Sequence, residues 1–216
     1  MTPIIGITAD LTENRYRVSD LYAQAIQKAG GIPVILPPIH GFEAQFIDIC
    51  DGFVFSGGDD PSMEQWGIAT HPNAKPVSKR RQTFEVALLE MLQDYEHIPV
   101  LGVCLGMQWM GLVASGNLIQ DLEEPMASHH RTGCHTISGT LGEGEVHTHH
   151  HQAISDSGNL EVIATADDGL IEAVSDPNKS WYVGVQWHPE RTENKELGQG
   201  LFNTLISKAK ISTALL

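Results

Sequence analysis

The junction around Cys104 constrains the fold more than any other feature of this sequence. Residues 99–103 form an apolar run typical of a strand, and Leu105–Val113 has helical spacing directly after the cysteine. Glycines stand two residues before and two residues after it, at Gly102 and Gly106, because so tight a turn packs backbone closely. This is the spacing of a nucleophile elbow, which would expose the sulfur at a helix N-terminus, where thiolate is favoured over thiol. A buried structural cysteine is the alternative.

The first half of the chain alternates short apolar runs with segments of helical periodicity. Strands are predicted over Ile4–Thr8, Ile32–Leu36, Gly52–Phe55 and 99–103, and helices over Asp20–Ala29, Glu43–Ile49, 84–95 and Leu105–Val113. Ser19 can cap the first helix, and Gly30 can end it. This alternation predicts a parallel sheet that is covered by helices on both faces. Ligands bind such sheets at the carboxyl ends of the strands, where the loops at Ser56 and Cys104 lie.

The second half of the chain has a different pattern. Strands are predicted over residues 135–141, 160–166, 170–174 and 181–187, and a last helix over residues 195–209. Antiparallel strands that extend the sheet are the simplest interpretation. No repeat and no linker divides the sequence, so we predict one α/β domain over residues 1–216 with a mostly parallel central sheet.

Composition and charge exclude several classes of function. The chain has 27 Asp and Glu residues against 13 Lys and Arg, a formal charge of −14. This excess disfavours binding to nucleic acids and to anionic membranes. No apolar stretch approaches the ~18 residues of a membrane span, and residues 1–10 lack the basic start of a signal peptide. Three cysteines cannot form a disulfide framework, so a cytoplasmic protein is expected.

A base and an acid that could orient it follow the last predicted strand. His188 can accept the thiol proton of Cys104 and later return it to a leaving group. Glu190 can hold the imidazole and stabilise its charged form, and Pro189 stiffens the link between the two. The three residues predict a catalytic triad of Cys104, His188 and Glu190. A structural His-Pro turn at the surface is the alternative.

A nucleophile of this kind also needs donors for a developing oxyanion. The natural candidates are the backbone N–H of Leu105, which follows the nucleophile, and that of Gly58. Glycine at positions 57 and 58 lets the backbone approach a substrate carbonyl. A plain turn is the alternative. A phosphate loop is disfavoured because the Gly-Lys-Ser/Thr ending is absent and Asp59 and Asp60 would repel phosphate.

With these pieces in order, the sequence resembles the class I glutamine amidotransferase superfamily. Within it the chain is most similar to the gamma-glutamyl-gamma-aminobutyrate hydrolase group, the peptidase C26-like amidohydrolases. The resemblance spans nearly the whole chain, and the most specific segments are 4–8, 22–33, 56–58, 102–108, 120–121, 150–152, 168–173 and 184–190. It implies a flavodoxin-like three-layer sandwich. It also implies hydrolysis of a gamma-glutamyl amide through a Cys104 thioester, with release of glutamate and an amine.

The resemblance further implies residues that bind the substrate. Gln108 matches an elbow glutamine that lies beside the substrate in relatives. Residues 146–152 match a substrate loop that reads Val-Asn-Ser-X-His-His-Gln in relatives, which assigns substrate contacts to His149, His150 and Gln152. His147 and Thr148 replace the Asn and Ser of that loop. These departures leave the amine side of the substrate open.

The histidine-rich segment invites a metal interpretation, since imidazole binds zinc, copper and nickel. Consecutive histidines on an extended segment point to opposite faces, however, and no Cys or carboxylate is spaced to complete a tetrahedral site. We therefore predict no native metal site and no cofactor. The histidines concerned are His129, His130, His135, His147, His149, His150 and His151.

Other functions and partners remain open from the sequence. Leu105 stands where the hydrolase group usually has Arg, whereas ammonia-donating subunits often have Leu or Tyr. A glutaminase subunit that delivers ammonia to a synthase partner is therefore the alternative function. A non-catalytic binding module would keep the fold but would not need a triad. A small gamma-glutamyl compound is the expected substrate, and a homodimer is left open.

Overall fold

The computed structural model describes residues 1–215. They form a nine-stranded sheet with helices packed against it. The last residue of the predicted domain, 216, lies outside this range. A short 3₁₀ helix covers Met63–Trp66. The helices are α1 Asp20–Ala29, α2 Glu43–Ile49, α3 Lys79–Leu92, α4 Leu105–Val113, α5 Met126–His130 and α6 Gln199–Leu215. The strands are β1 Ile4–Thr8, β2 Asp10–Thr12, β3 Arg15–Arg17, β4 Ile32–Leu36, β5 Gly52–Phe55, β6 Val100–Val103, β7 Asn117–Ile119, β8 Gly133–Gly139, β9 Gly142–Thr148, β10 Ala153–Asp156, β11 Glu161–Ala166, β12 Ile171–Ser175 and β13 Tyr182–Val185.

The sheet has two halves that differ in strand direction. Its order is β4-β1-β5-β6-β13-β12-β11-β8-β9. The first five strands in that order are parallel, and each later strand pairs antiparallel with the one before it. The predicted mostly parallel sheet with antiparallel additions is therefore confirmed. Two small antiparallel ribbons, β2-β3 and β7-β10, lie outside this sheet.

Successive side chains of the central strands pack into two separate hydrophobic cores, one on each face of the sheet. Phe53 and Phe55 pack with α2, α3 and α4, whereas Val54 packs with α1 and α6. Successive side chains of a strand point to opposite faces, so a strand buried on both sides reads as a continuous apolar run. This arrangement explains the unbroken apolar segments and gives the predicted three layers.

Several predicted boundaries agree with the structure residue for residue. The side chain of Ser19 caps α1 by accepting a hydrogen bond from the Leu21 N–H, and Gly30 ends that helix with φ +87°. A left-handed residue at this position favours glycine. The segments that match in full are Ile4–Thr8, Asp20–Ala29, Ile32–Leu36, Glu43–Ile49, Gly52–Phe55 and Leu105–Val113.

Two predicted helices were placed wrongly along the chain. The helix predicted over 84–95 begins at Lys79, because Ser78 caps it by accepting from the Arg81 N–H, and it ends at Leu92. The helix predicted over 195–209 begins at Gln199 and continues to Leu215. The polar first turn of α3 hides its start from a prediction based on apolar spacing, whereas α6 was predicted to begin too early because residues 195–198 form a turn before the helix.

The polar end of the sheet also departs from the prediction. The strand predicted over residues 135–141 covers Gly133–Gly139 and pairs with β9, which was not predicted. The segment Gly142–Thr148 is rich in Gly and Glu and forms the edge of the sheet, so it lacks the apolar alternation that marks a strand. The strands β2, β3, β7 and β10 and the helix α5 were also missed. Among residues 1–215, no helix is long and apolar enough to cross a membrane.

Candidate active site

The topology of the sheet brings three loops together at one edge. Strands β5, β6 and β13 are parallel neighbours, and their carboxyl ends lead into Ser56, Cys104 and Gln186 respectively. The Cys104 N–H continues the ladder by donating to the Val185 carbonyl at 2.8 Å, and the His188 N–H donates to the His147 carbonyl at 2.8 Å. The cysteine and the histidine therefore meet although 84 residues separate them along the chain.

Cys104 occupies a strained turn between β6 and α4. Its backbone has φ +51° and ψ −106°, a conformation that non-glycine residues rarely adopt. A Cβ at Gly106 would lie 2.3 Å from the Phe55 carbonyl oxygen, and one at Gly102 would lie 2.3 Å from the Met110 sulfur. Both glycines are thus required by close packing, as expected for a nucleophile elbow.

His188 is held by Glu190 and faces the cysteine. Its Nδ1 lies 2.8 Å from Glu190 Oε1, whose side chain is fully buried. A Cβ built on Gly57 would lie 3.0 Å from His188 Cε1 and 3.5 Å from Cys104 Cβ, so both side chains converge on that glycine. His188 Nε2 is buried and has no hydrogen-bond partner within residues 1–215. The nitrogen that a catalytic base would use is therefore free on the side of the thiol.

The surroundings of His188 favour its charged form. Burial lowers the pKa of the imidazole, but the interactions with Cys104 and Glu190 outweigh it and raise the pKa from 6.5 to about 9. His188 is therefore protonated at neutral pH and can stabilise a neighbouring thiolate. Because protonation favours the folded state here, this contribution to stability is fully present below pH 6.5 and is lost as the pH rises through about 9.

The loop that carries Gly58 is fixed by hydrogen bonds to its neighbours. The Ser56 N–H donates to Thr8 Oγ1 at 3.0 Å, and the Ser56 hydroxyl donates to the Thr8 carbonyl at 2.8 Å. The Gly57 N–H donates to the Tyr22 hydroxyl at 3.1 Å. The Gly57 N–H therefore already has an acceptor. The Gly58 N–H is the next backbone donor in the loop that could bind a substrate oxygen.

Arg81 is a functional candidate that sequence reasoning missed. Its guanidinium is buried, pairs with Glu85 at 2.6 Å, and donates to the Ser56 and Gly57 carbonyls at 2.9 and 3.1 Å. In a trans peptide the C=O and N–H point in opposite directions. Because Arg81 holds the Gly57 carbonyl, the Gly58 N–H points away from the guanidinium. A Cβ at Gly58 would lie 2.4 Å from Arg81 Nη1, which explains the glycine.

Two backbone donors are left for a negatively charged oxygen. Gly58 borders the same cleft as Cys104, and Leu105 is the first residue of α4. Neither N–H meets an acceptor in the described part of the chain. The first N–H groups of a helix have no partner inside the helix, so they suit an anion. The role of Gly58 and Leu105 as oxyanion donors remains a prediction.

A cleft of about 490 Å³ lies over Cys104. This volume falls in the range of small-molecule sites. Cys104 lies at the base of the cleft and is only 4% exposed. Acidic and basic side chains both border the cleft. Its lining is formed by Gly58, Asp59, Asp60, Asn73, Lys75, Cys104, Gln108, Asp121, Arg131, His149, His150, His151 and Gln152.

The predicted substrate-binding residues occupy two different environments. His149 lies beside the thiol, since Cys104 Sγ contacts the His149 carbonyl at 3.9 Å and the His149 and His188 rings are 6.5 Å apart. Gln108 is buried and contacts the Gln152 carbonyl at 3.5 Å. The ring of His150 turns inward, because its Nδ1 pairs with the Gln152 carbonyl at 2.9 Å. His150 borders the cleft although its ring is almost completely buried, and its contact with a substrate remains a prediction.

The family assignment follows from comparison with known proteins. Residues 3–190 match the family described as Peptidase C26. The chain belongs to the peptidase C26 family. The match includes the elbow, the loop at Ser56, the histidine-rich segment and the His188-Glu190 turn. Together with its glutamine amidotransferase-like relatives, membership implies an amidohydrolase.

Three relatives illustrate the breadth of this family. "Putative glutamine amidotransferase Rv2859c" of Mycobacterium tuberculosis is 34% identical over 88% of this chain and 70% of its own length. Protein NtpR of Enterococcus hirae is 30% identical over 96% of this chain and all of its own length. The gamma-glutamyl-gamma-aminobutyrate hydrolase PuuD of Escherichia coli K12 is 28% identical over 87% of this chain and 85% of its own.

A solved structure shows the same architecture. A protein of Thermoplasma acidophilum, described as a "putative gmp synthase subunit a protein", superposes with a TM-score of 0.72. The superposition covers 100% of this chain and 98% of the other, at 16% sequence identity. At this identity the likeness establishes the fold, which is that of class I glutamine amidotransferases. The predicted fold class is confirmed.

Proposed function

We propose that this protein hydrolyses a gamma-glutamyl amide through a covalent Cys104 thioester and releases glutamate and an amine. The observation that carries the proposal is that four features lie together at Cys104, which borders the cleft. These are a strained cysteine at a helix start, a buried imidazole whose free nitrogen faces it, a buried carboxylate behind that imidazole, and two unpaired N–H groups. A protein that only bound ligands would not need this combination.

In the first step the Cys104 thiolate attacks the side-chain carbonyl carbon of the glutamyl group. The carbonyl oxygen becomes negatively charged and accepts hydrogen bonds from the Gly58 and Leu105 N–H groups. The protonated His188 gives its Nε2 proton to the amine nitrogen as the C–N bond breaks. A glutamyl thioester remains on Cys104, and the neutral amine leaves.

In the second step water replaces the amine. His188, now neutral, accepts a proton from a water molecule that attacks the thioester carbonyl. The same two N–H groups stabilise the second oxyanion, and the C–S bond breaks to release glutamate. Glu190 holds the imidazole through Nδ1 throughout, so that Nε2 stays directed at the reacting atoms.

The charges around the cleft support an amino-acid end in the substrate. A glutamyl group carries an α-carboxylate and an α-ammonium. Arg131 and Lys75 border the cleft as cations, and Asp59 borders it as an anion, so both groups can find opposite charges. Asp60 and Asp121 also border the cleft, and His151 lies between them with its ring nitrogens 3.0 Å from each carboxylate. This bridge holds the acidic side of the cleft in place.

The decisive experiment measures glutamate release by the purified protein alone. The panel contains glutamine, gamma-glutamyl-gamma-aminobutyrate, gamma-glutamyl-putrescine, gamma-glutamyl anilide and gamma-glutamyl peptides. Cys104→Ala serves as the blank and Cys134→Ser as the matched control, because Cys134 is exposed and far from the elbow in sequence. Turnover of one compound well above glutamine, lost only in Cys104→Ala, would support the proposal and identify the amine.

Other outcomes would change the assignment. Glutamine hydrolysis that rises when a synthase partner is added would favour the ammonia-delivering alternative, which Leu105 motivates. No turnover of any compound, in a protein whose Cys104 also resists a glutamine-like alkylating analogue, would contradict the proposal.

The pH dependence gives a second test. We expect kcat/KM to stay high at neutral pH and to fall above about pH 9, because His188 loses its proton there. Glu190→Gln removes one interaction that raises this pKa, so the fall should begin at lower pH. Initial rates between about pH 6 and 10 measure both profiles. A wild-type kcat/KM that already falls as the pH rises past 6.5 would contradict the prediction that His188 is charged at neutral pH.

A further inference from the structure

A second cluster of titratable groups lies behind the substrate loop. His130 ends α5, His135 lies on β8, His150 follows β9, and Glu172 lies on β12. Glu172 is completely buried, and the rings of His130 and His150 are almost completely buried. The proposed hydrolysis uses none of their side chains. The fold therefore gathers three imidazoles around one carboxylate in its interior, at a place that the reaction does not explain.

The contacts among His130, His150 and Glu172 have the distances expected between ligands of one ion. His130 Nδ1 lies 3.3 Å and His150 Nε2 lies 3.4 Å from Glu172 Oε1, and the two nitrogens are 3.2 Å apart. His135 Nε2 lies 3.4 Å from Glu172 Oε2. Ligand atoms ~2.0–2.1 Å from a tetrahedral zinc ion are about 3.3 Å from one another. The ligand atoms of His130, His135 and Glu172 all lie within 4.8 Å of one another, whereas the centroids of the His135 and His150 rings are 6.4 Å apart.

Neighbouring groups fix which ring nitrogens carry hydrogen. His150 Nδ1 lies 2.9 Å from the Gln152 carbonyl, which can only accept, so the hydrogen is on Nδ1 and the lone pair is on Nε2. His130 Nε2 lies 2.9 Å from Asp168 Oδ2, which likewise places the lone pair of the neutral ring on Nδ1. Such outer carboxylates and carbonyls are the usual supports of histidine ligands.

If both rings are neutral, two lone pairs face the carboxylate, and the 3.2 Å contact between His130 Nδ1 and His150 Nε2 then needs either a proton or a metal ion to join the two nitrogens. Neither oxygen of Glu172 makes a hydrogen bond of standard geometry among residues 1–215, and both nitrogens of His135 are also unpaired. Buried polar atoms without partners are costly, and a buried carboxylate is especially so. The arrangement calls for a cation at its centre.

We propose that His130, His135, His150 and Glu172 bind a divalent transition metal ion, with Zn²⁺ as the best fit. Three imidazoles and one carboxylate are ligands that zinc accepts, and this closed set leaves the ion a structural role. Glu172 and the nearby Asp168 together balance its charge. The sequence spacing hid this site because the carboxylate comes from β12, more than twenty residues after the histidine-rich segment.

The position of the ion suggests what it does. His150 belongs to the loop whose next residues, His151 and Gln152, border the cleft, and whose preceding carbonyl contacts Cys104. A metal ion that joins this loop to β8, β12 and α5 would hold the loop in place for the substrate. This role goes beyond the hydrolysis proposed above, and it can be tested without measuring turnover.

The test measures the metal content of untagged protein purified without immobilised metal. After exposure to EDTA and then Zn²⁺, we expect about one zinc per chain to survive gel filtration. Co²⁺ at the same site should give the visible absorption of a tetrahedral complex. Glu172→Gln should lose both signals, whereas His129→Ala, which changes an exposed histidine of α5, should keep them.

Two outcomes would overturn the proposal. Wild-type protein that retains less than about a tenth of an equivalent of zinc after loading would mean that a proton on His130 is the central cation. Zinc that is bound equally by wild type and Glu172→Gln would place it on the exposed histidines. If Glu172→Gln fails to fold, the wild-type stoichiometry and the Co²⁺ spectrum still decide. Zinc binding with no hydrolase activity would leave this site intact and reject only the proposed reaction.

Discussion

Cys104→Ala and His188→Asn are each expected to lower glutamate release ~10⁴-fold or more, and the double variant is expected to be no worse. The reason is that the two side chains act as one unit. Without the thiol no thioester forms, and without the imidazole neither the amine nor the water can exchange its proton. Initial rates of the four proteins on the best substrate of the panel give the double-mutant cycle.

Additional variants sharpen this prediction. Glu190→Gln should cost less, ~10²-fold, because it leaves the base in place and removes only its orientation and charge support. Cys134→Ser should keep full activity, since that thiol is exposed on β8. Additive losses in the double variant would show that Cys104 and His188 do not act in the same step. A wild-type rate in His188→Asn would remove it from the mechanism.

The sequence predicted the parts of the site that depend on short-range spacing. The glycines around Cys104 are two residues away on either side, and Glu190 is two residues from His188, so short spacings alone single them out as candidates. The junction of β5, β6 and β13 could also be predicted, because alternating strands and helices place their carboxyl ends at one edge. The fold and the triad geometry therefore follow from local patterns.

Residues that act across long distances could not be predicted in this way. Arg81 supports a loop 24 residues earlier in the chain, and its first-turn position on α3 was hidden by a polar helix start. Glu172 meets His130 and His135 only because β12, β11 and β8 pair side by side in the sheet. Neither partnership leaves a periodic or spaced signal in the sequence, since both depend on strand order.

Arg81 is expected to matter for turnover through the backbone that it holds. If the Gly57 carbonyl is released, the Gly58 N–H loses its fixed direction, and loss of one oxyanion donor costs ~10²–10³-fold in kcat. Arg81→Met alone would leave Glu85 buried and unpaired, which destabilises proteins by about 3–5 kcal/mol. The informative variant is therefore the double change Arg81→Met with Glu85→Gln, which removes the charge of both partners.

This double variant should fold, keep the reactivity of Cys104 and still lose at least ~10²-fold in kcat with little change in KM. Iodoacetamide alkylates a thiolate without forming an oxyanion, so its rate reports the elbow and His188 but not the Gly58 donor. Thermal unfolding, alkylation rate and kcat measured on the same preparation separate these effects. A parallel fall in alkylation rate would mean that Arg81 supports the whole elbow. Turnover at the wild-type rate in the folded double variant would mean that the Gly58 N–H needs no support from the guanidinium.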